Sequence, residues 1–174
     1  CLELPPGLAP LAVGPRAWQY LRAMKQRRVP YVLDLLMWDW SLQARGAVHP
    51  TLTTAATTLL YALDWMVDQI RAEGLPARQE RFRAAGQRLM AGLRPLGFSA
   101  PVDARWASPV MTVVQLPAGM SAPQFRDYCL RQHNLMIGAG SPTTVRVSHF
   151  GQAAGPERID LLIQIAAQFV AAQR

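Results

Sequence analysis

In the middle of the chain, apolar residues recur at intervals of three and four. This spacing places five of them on one face of a helix: Leu59, Leu63, Met66, Val67 and Ile70. A hydroxyl of Thr53 or Thr54 can cap the start of this helix, and Gly74 can end it as a C-cap glycine. The pattern therefore predicts a buried helix that ends at Glu73.

Four further segments carry helical patterns. One follows Pro15 and runs over residues 16–28, and another runs from about residue 77 to Arg94 before Pro95 and Gly97. A third covers residues 121–133 with Ser121 as its cap. The last begins after Gly155 and is predicted to bury six residues: Ile159, Leu162, Ile163, Ala166, Phe169 and Val170.

Strand patterns occur in four places. Residues 7–14 read as a short buried strand closed by Gly14, while residues 110–116, 135–140 and 144–150 combine β-branched residues with flanking glycines and prolines. Residues 31–46 are apolar and aromatic without a clear period, and no element is assigned to them. From residue 77 the order is helix, strand, helix, strand, strand, helix. This order predicts an α/β-type chain whose C-terminal part packs helices on one small sheet.

The strand over residues 144–150 offers one candidate binding residue. Alternate residues share a face, so Val145, Val147 and His149 are predicted to point one way, and Arg146, Ser148 and Phe150 the other. An Arg beside Gly-rich turns can hold a carboxylate through two parallel hydrogen bonds. The alternative, which the residues alone favour, is an edge-strand Arg that reaches solvent.

The stretch before the middle helix is rich in hydroxyls. Residues 46–63 form an uncharged run whose length approaches that of a membrane span. Its five threonines, one His and one Pro argue against a span, and Asp64 follows it directly. Backbone N–H groups at a helix start attract anions, so this stretch is a candidate anion site. Ordinary N-capping explains it equally well.

The net charge of +7 raises the question of a nucleic-acid partner. Five arginines lie in the helix predicted from residue 77: Arg78, Arg81, Arg83, Arg88 and Arg94. Apolar residues at helical spacing interrupt them, so an amphipathic helix with an Arg-rich polar face is the favoured interpretation and a phosphate-binding face is the alternative. No zinc spacing or RNA-binding aromatic pair accompanies them.

Other chemical signals are weak. His49, His133 and His149 show no metal-ligand spacing, and we predict no metal site. Cys1 and Cys129 form no disulfide framework, which indicates a reducing, cytoplasmic setting. Cys129 is predicted to be a small core residue of its helix.

The candidate sites occur within a recognisable order of segments. The stretches "CLELPPGLAPLAVGPRAW", "HPTLTTAATTLLYALDWMVDQIRAEGL", "RFRAAGQRLMAGLRPLGF" and "IGAGSPTTVRVSHFGQAA" resemble the C-terminal half of class V aminotransferases. Within that family the sequence is most similar to the alanine–glyoxylate and serine–pyruvate aminotransferases. The resemblance implies the aspartate-aminotransferase fold (fold type I), pyridoxal 5′-phosphate as cofactor, and transfer of an amino group from an L-amino acid to a small 2-oxo acid.

The resemblance also implies roles for particular residues. Arg146 would bind the substrate α-carboxylate, and Thr54 would reach the cofactor phosphate of the neighbouring subunit in a homodimer. Thr51 stands where the family usually has a Tyr, and Phe150 where it usually has a Met. The lysine that carries the cofactor as a Schiff base is expected immediately before Cys1, because Lys25, the single lysine, lies in an Arg-rich exposed helix.

Residues 1–73 would complete the large cofactor domain, and residues 74–174 would form the small domain. The partners implied are amino acid and 2-oxo acid substrates, with no nucleic acid and no membrane. Three alternatives stay open: another class V enzyme, such as a lyase or an enzyme for a different amine, a basic binding module, and an inactive truncated relic.

Overall fold

The computed structural model describes residues 3–24, 28–45, 48 and 51–173. The chain divides into two compact units. The first comprises Met66–Arg174 together with the start of the chain up to Glu3, and the second is Leu4–Trp65. The units divide between Trp65 and Met66, inside a single helix. A division inside one helix does not test the domain boundary predicted between residues 73 and 74, which stays a prediction.

The second unit is helical wherever the structure assigns regular elements. Helix α1 (Pro15–Ala23) has Pro15 in its first turn, where the missing N–H costs nothing. A 3₁₀ turn (Tyr31–Leu33) and helix α2 (Leu35–Arg45) follow, in the stretch without a clear sequence period. Nε1 of Trp38 donates to the carbonyl oxygen of Val32 (2.9 Å), which joins the turn to the helix.

Two sequence predictions for this unit are wrong. Residues 7–14 form no strand, because no described strand pairs with them and their side chains are half-buried or exposed. Helix α1 ends at Ala23 rather than near residue 28, although residues 25–27 of the predicted helix lie outside the described residues.

Helix α3 (Thr57–Glu73) begins later than the sequence suggested. The carbonyl oxygen of Ala56 accepts from the N–H of Leu60 (3.0 Å), so neither Thr53 nor Thr54 caps it. Met66 is buried, and the other four residues predicted on its face are half-buried. The predicted end is confirmed: Gly74 has a φ of 81°, a conformation that a side chain disfavours.

The first unit has the predicted order of elements. Helix α4 (Leu75–Leu93) leads to strand β1 (Met111–Gln115), helix α5 (Ala122–His133), strands β2 (Gly138–Ser141) and β3 (Thr144–Ser148), and helix α6 (Pro156–Ala172). Ser121 accepts from the N–H of Gln124 at the start of α5, as predicted. The strands form an antiparallel sheet in the order β1-β3-β2.

The core of this unit lies between one face of the sheet and helices α4, α5 and α6. The ring of Phe125 lies 5.8 Å from that of Phe98 and 5.0 Å from that of Phe169, measured between centroids. Burying such a side chain contributes about 1.5–3 kcal/mol. Five of the six residues predicted to be buried on α6 are buried, whereas Ile163 is half-buried and Ile165 takes its place in the core.

Candidate functional site

Arg146 lies in the middle of the three-stranded sheet. It occupies strand β3, paired on one side with Val113 of β1 and on the other with Gly138 of β2. The expectation of an edge strand is therefore wrong, since both hydrogen-bonding edges of β3 are occupied. The side chain of Arg146 is exposed on the sheet face opposite the core, while Val145 and Val147 on either side are buried.

The backbone of β2 holds the stem of Arg146. Its Nε donates to the carbonyl oxygen of Ala139 (2.6 Å). Residue 138 must be glycine here, because a Cβ would lie 2.9 Å from the carbonyl oxygen of Arg146. Among the described residues no carboxylate pairs with Arg146, whereas Arg88 forms a two-bond pair with Asp160. The two terminal nitrogens of this exposed Arg146 make no hydrogen bond to the described residues, and a guanidinium fork suits a carboxylate.

The alternation predicted for residues 144–150 holds only up to His149. Val145, Val147 and His149 are buried, and Arg146 and Ser148 are exposed, as predicted. Phe150 instead packs against the core. Strand β3 ends at Ser148, so the two-residue period no longer sets the direction of a side chain two positions later.

Thr51 and Thr54 belong to the second unit. Both lie in the loop that precedes helix α3, where Thr51 is half-buried and Thr54 is exposed. Neither hydroxyl bonds to another described residue. Arg146 belongs to the first unit, so each candidate site is described in its own unit.

The chemistry of the loop before α3 fits a phosphate. Thr53, Thr54, Thr57 and Thr58 are all exposed, and the first turn of the helix carries no acidic residue. Hydroxyl and backbone N–H donors together with the positive end of a 17-residue helix favour an anion. The residues present could therefore hold the phosphate of pyridoxal phosphate.

His149 is buried beneath the strand that carries Arg146. Its Nε2 lies 2.9 Å from Oγ1 of Thr112, and its backbone N–H donates to the carbonyl oxygen of Val110 (2.9 Å). Nδ1 is buried without a hydrogen bond to the described residues. Burial lowers the pKa of His149, because the charged imidazolium would be poorly solvated there. The neutral ring acts as a packing element that ties β3 to β1.

The arginines of helix α4 are largely occupied by acidic partners. Arg78 and Arg81 pair with Glu73, Arg83 with Glu80, and Arg88 with Asp160. The buried face of the helix consists of apolar residues at helical spacing together with Arg78. The amphipathic helix is confirmed. The sequence did not reveal that Arg78 is buried, since its acidic partner Glu3 lies 75 positions away.

The sequence also raised Cys129, a metal site and Lys25 as candidates for chemistry. Cys129 is buried, as predicted, and burial raises the pKa of its thiol to about 12. Within the described residues, which leave out His49, no group of acidic, His or Cys side chains could hold a metal ion. Lys25 lies outside the described residues. In the described part of the chain, no helix has both the length and the apolar character that a membrane crossing requires.

Solved structures share this fold. An alanine–glyoxylate aminotransferase from Nostoc sp. superposes with a TM-score of 0.82 and 25% identity, covering 91% of this chain and 42% of the other. A ureidoglycine–glyoxylate aminotransferase from Bacillus subtilis gives a TM-score of 0.88 and 27% identity over 100% of this chain and 46% of the other. The fold is thus that of the fold-type-I pyridoxal-phosphate aminotransferases.

Curated relatives of this chain carry different names. The chain is 29% identical over 174 residues to (S)-ureidoglycine–glyoxylate transaminase of Bacillus subtilis, covering 89% of this chain and 39% of the relative. It is 31% identical over 156 residues to a protein of Anabaena cylindrica named soluble hydrogenase 42 kDa subunit, covering 85% and 38%. No family model matches. The chain is related to the class V aminotransferases, and it spans about two fifths of the length of these relatives.

Proposed function

We propose that this chain supplies the substrate-carboxylate site and part of the cofactor-phosphate site of a pyridoxal-phosphate-dependent aminotransferase. The enzyme moves the amino group of a small L-amino acid, such as alanine or serine, to glyoxylate or pyruvate. Two transaminases that resemble the chain, one for alanine and one for ureidoglycine, have glyoxylate in their names. These names support glyoxylate as the acceptor.

The position of Arg146 is the observation that carries the proposal. Both neighbouring strands fix the backbone of Arg146, and the bond from its Nε to the carbonyl oxygen of Ala139 directs the side chain. The two terminal nitrogens can donate hydrogen bonds to both oxygens of one α-carboxylate. Such two-bond recognition fixes the orientation of the substrate as well as its location. Arg146 thus selects substrates that carry a carboxylate beside the amino group.

The cofactor supplies an electron sink when it is bound, and the protein supplies its placement. In this chain Thr54 would donate a hydroxyl hydrogen bond to the phosphate, and Thr51 would add a second donor in place of the family's Tyr.

We also propose a domain assignment, an oligomeric state and a cellular location for this enzyme. Residues 1–73 complete the large cofactor domain and residues 74–174 form the small domain, so the chain contributes to both. The enzyme is a homodimer in which Thr54 of one subunit binds the cofactor phosphate of the other, and it acts in the cytoplasm.

The extensive ion pairing of helix α4 supports an enzyme rather than a nucleic-acid-binding module.

A direct assay tests the proposal. Purified protein supplied with pyridoxal phosphate is incubated with L-alanine or L-serine and glyoxylate, and glycine formation is followed by chromatography. Glycine formation that requires both the amino donor and the cofactor supports the proposal. Absence of glycine with both donors, together with absence of alanine when L-serine is supplied with pyruvate, contradicts it.

A further inference from the structure

A ring of ion pairs and hydrogen bonds joins three distant parts of the first unit. Arg78 donates from Nη2 to Glu3 (2.7 Å) and from Nη1 to Glu73 (2.9 Å). Glu73 also accepts from Nε and Nη2 of Arg81, at 2.6 and 3.0 Å. The peptide of Gly151 and Gln152 then closes what we call the ion-pair ring.

Two backbone bonds make this closure. Arg81 Nη1 donates to the carbonyl oxygen of Gly151 (2.6 Å), and the N–H of Gln152 donates to Oε1 of Glu3 (3.0 Å). Gly151 has a φ of +61°, and the space that its Cβ would need is filled by the carboxylate of Glu3. The loop that follows β3 is therefore shaped to receive this one side chain.

The ring is sheltered from solvent at its centre. The side chain of Arg78 is 9% exposed, and its guanidinium carbon lies 5.1 Å from the centroid of the buried Phe82 ring. That of Arg81 lies 4.9 Å from the same centroid. A sheltered Arg bound to two carboxylates holds both in fixed positions, because each bond is strengthened by the low local dielectric. Glu3 itself has a φ of 56°, a conformation that non-glycine residues adopt when their surroundings impose it.

We propose that Arg78 is a positioning residue, which acts through the ion-pair ring to fix the backbone at Glu3 and the loop after the Arg146 strand. The inference rests on the proposed function. The ring also holds the backbone at Gly151 and Gln152, so its loss would loosen the loop that follows the Arg146 strand. The chain passes from Glu3 directly into the second unit at Leu4. Arg78 thereby anchors the last residue before this transition.

The test compares Arg78→Met with Arg88→Met in the purified protein. Both variants remove an Arg of helix α4 that makes two bonds to carboxylates, but the Arg88 pair is exposed and lies outside the ring. Hydrogen exchange at the Gln152 amide should accelerate in Arg78→Met and stay unchanged in Arg88→Met. The kcat of Arg78→Met should fall by about 10-fold or more through misplacement of the reacting groups. Its KM for the amino acid should change less than about 2-fold, because Arg146 is untouched.

Two further variants, Arg78→Lys and Glu3→Gln, alter the same ion-pair ring. Arg78→Lys should recover part of the kcat, because its ammonium keeps the positive charge beside Glu3 and Glu73. The recovery should be incomplete, because one ammonium cannot reproduce both bonds of the guanidinium fork. Should Arg78→Met fail to fold, Glu3→Gln is measured by the same readouts, because it weakens the ring at Glu3 and leaves Arg78 paired with Glu73. A variant of Arg78 or Glu3 that matches Arg88→Met in both exchange and kcat overturns the positioning role alone. Wild-type protein that forms no glycine overturns the proposed function as well.

Discussion

The imidazole of His149 lies directly against the backbone of Gly86. A Cβ built on residue 86 would fall 2.9 Å from Cε1 and 3.1 Å from Nε2 of His149. Helix α4 can approach the ring of His149 this closely only because residue 86 has no side chain. The contact joins the helix to the residue that directly follows strand β3.

Gly86→Ala should therefore destabilise the protein by about 1–3 kcal/mol, the usual cost of overpacking a rigid site. Gly14→Ala is the control, because a Cβ on residue 14 would meet no atom within 4 Å. Urea denaturation measures the free energy of unfolding of both variants. Equal losses in the two variants would show that the contact with His149 does not limit residue 86.

The protein should lose stability as the pH falls below about 6.5, the ordinary pKa of a histidine. Burial lowers the pKa of His149 in the folded protein, so the unfolded chain takes up a proton first. The stability is then constant above the unfolded pKa and declines below it. Urea midpoints between pH 8 and pH 5 measure this decline, which His149→Gln should reduce. An unaltered slope in that variant would assign the decline to other groups.

Acid should remove a second contribution, that of Glu73. The bonds from Arg81 and Arg78 hold the pKa of this carboxyl at about 2, below its usual 4.5. Its stabilising effect is complete above pH 4.5 and is lost as the pH falls through 2. Glu73→Gln should flatten the pH dependence of stability in this window. Asp127→Asn, which breaks an exposed pair with Arg131, is the control for the loss of one surface carboxylate. A pH dependence in Glu73→Gln that equals that of the wild type would contradict this contribution.

Arg146→Ala should raise the KM for the amino acid by about 10- to 100-fold, the loss expected for charge-assisted hydrogen bonds to a carboxylate. Cofactor absorbance should stay unchanged, because the proposed role of Arg146 concerns the substrate. Arg131→Ala serves as control, since Arg131 pairs with Asp127 on the exposed side of α5. Steady-state kinetics with L-alanine decide the outcome, and a KM equal to that of the control would remove Arg146 from the site.

Thr54→Ala should weaken retention of pyridoxal phosphate several-fold, as expected for the loss of one hydrogen bond worth about 1 kcal/mol. Dialysis followed by absorbance of the retained cofactor provides the measurement. Thr143→Ala is the control, because Thr143 is an exposed threonine between strands β2 and β3 and lies outside the loop before α3. Retention that is the same in both variants would contradict the assignment of Thr54 to the phosphate.

Local sequence determined those elements whose signals lie within one or two turns of the chain. The apolar periods of α3, α4 and α6 set their buried faces, because neighbouring side chains on a helix are only three or four residues apart. Gly74 and Ser121 mark helix boundaries for the same reason, since a cap acts on the adjacent turn. The alternation of Val145, Arg146 and Val147 similarly assigned Arg146 to the exposed face.

Tertiary structure decided what depends on residues far apart in sequence. The order β1-β3-β2 makes the Arg146 strand central, and no local pattern specifies which strands become neighbours. The segment 7–14 has a strand-like composition, yet a strand forms only where a partner supplies its hydrogen bonds. In the sequence, Arg78 is one more arginine of a helix with a polar face. Its burial is possible because it pairs with the carboxylate of Glu3, 75 positions away. Such pairings are set by chain topology, and the energy that fixes them exists only once distant segments meet.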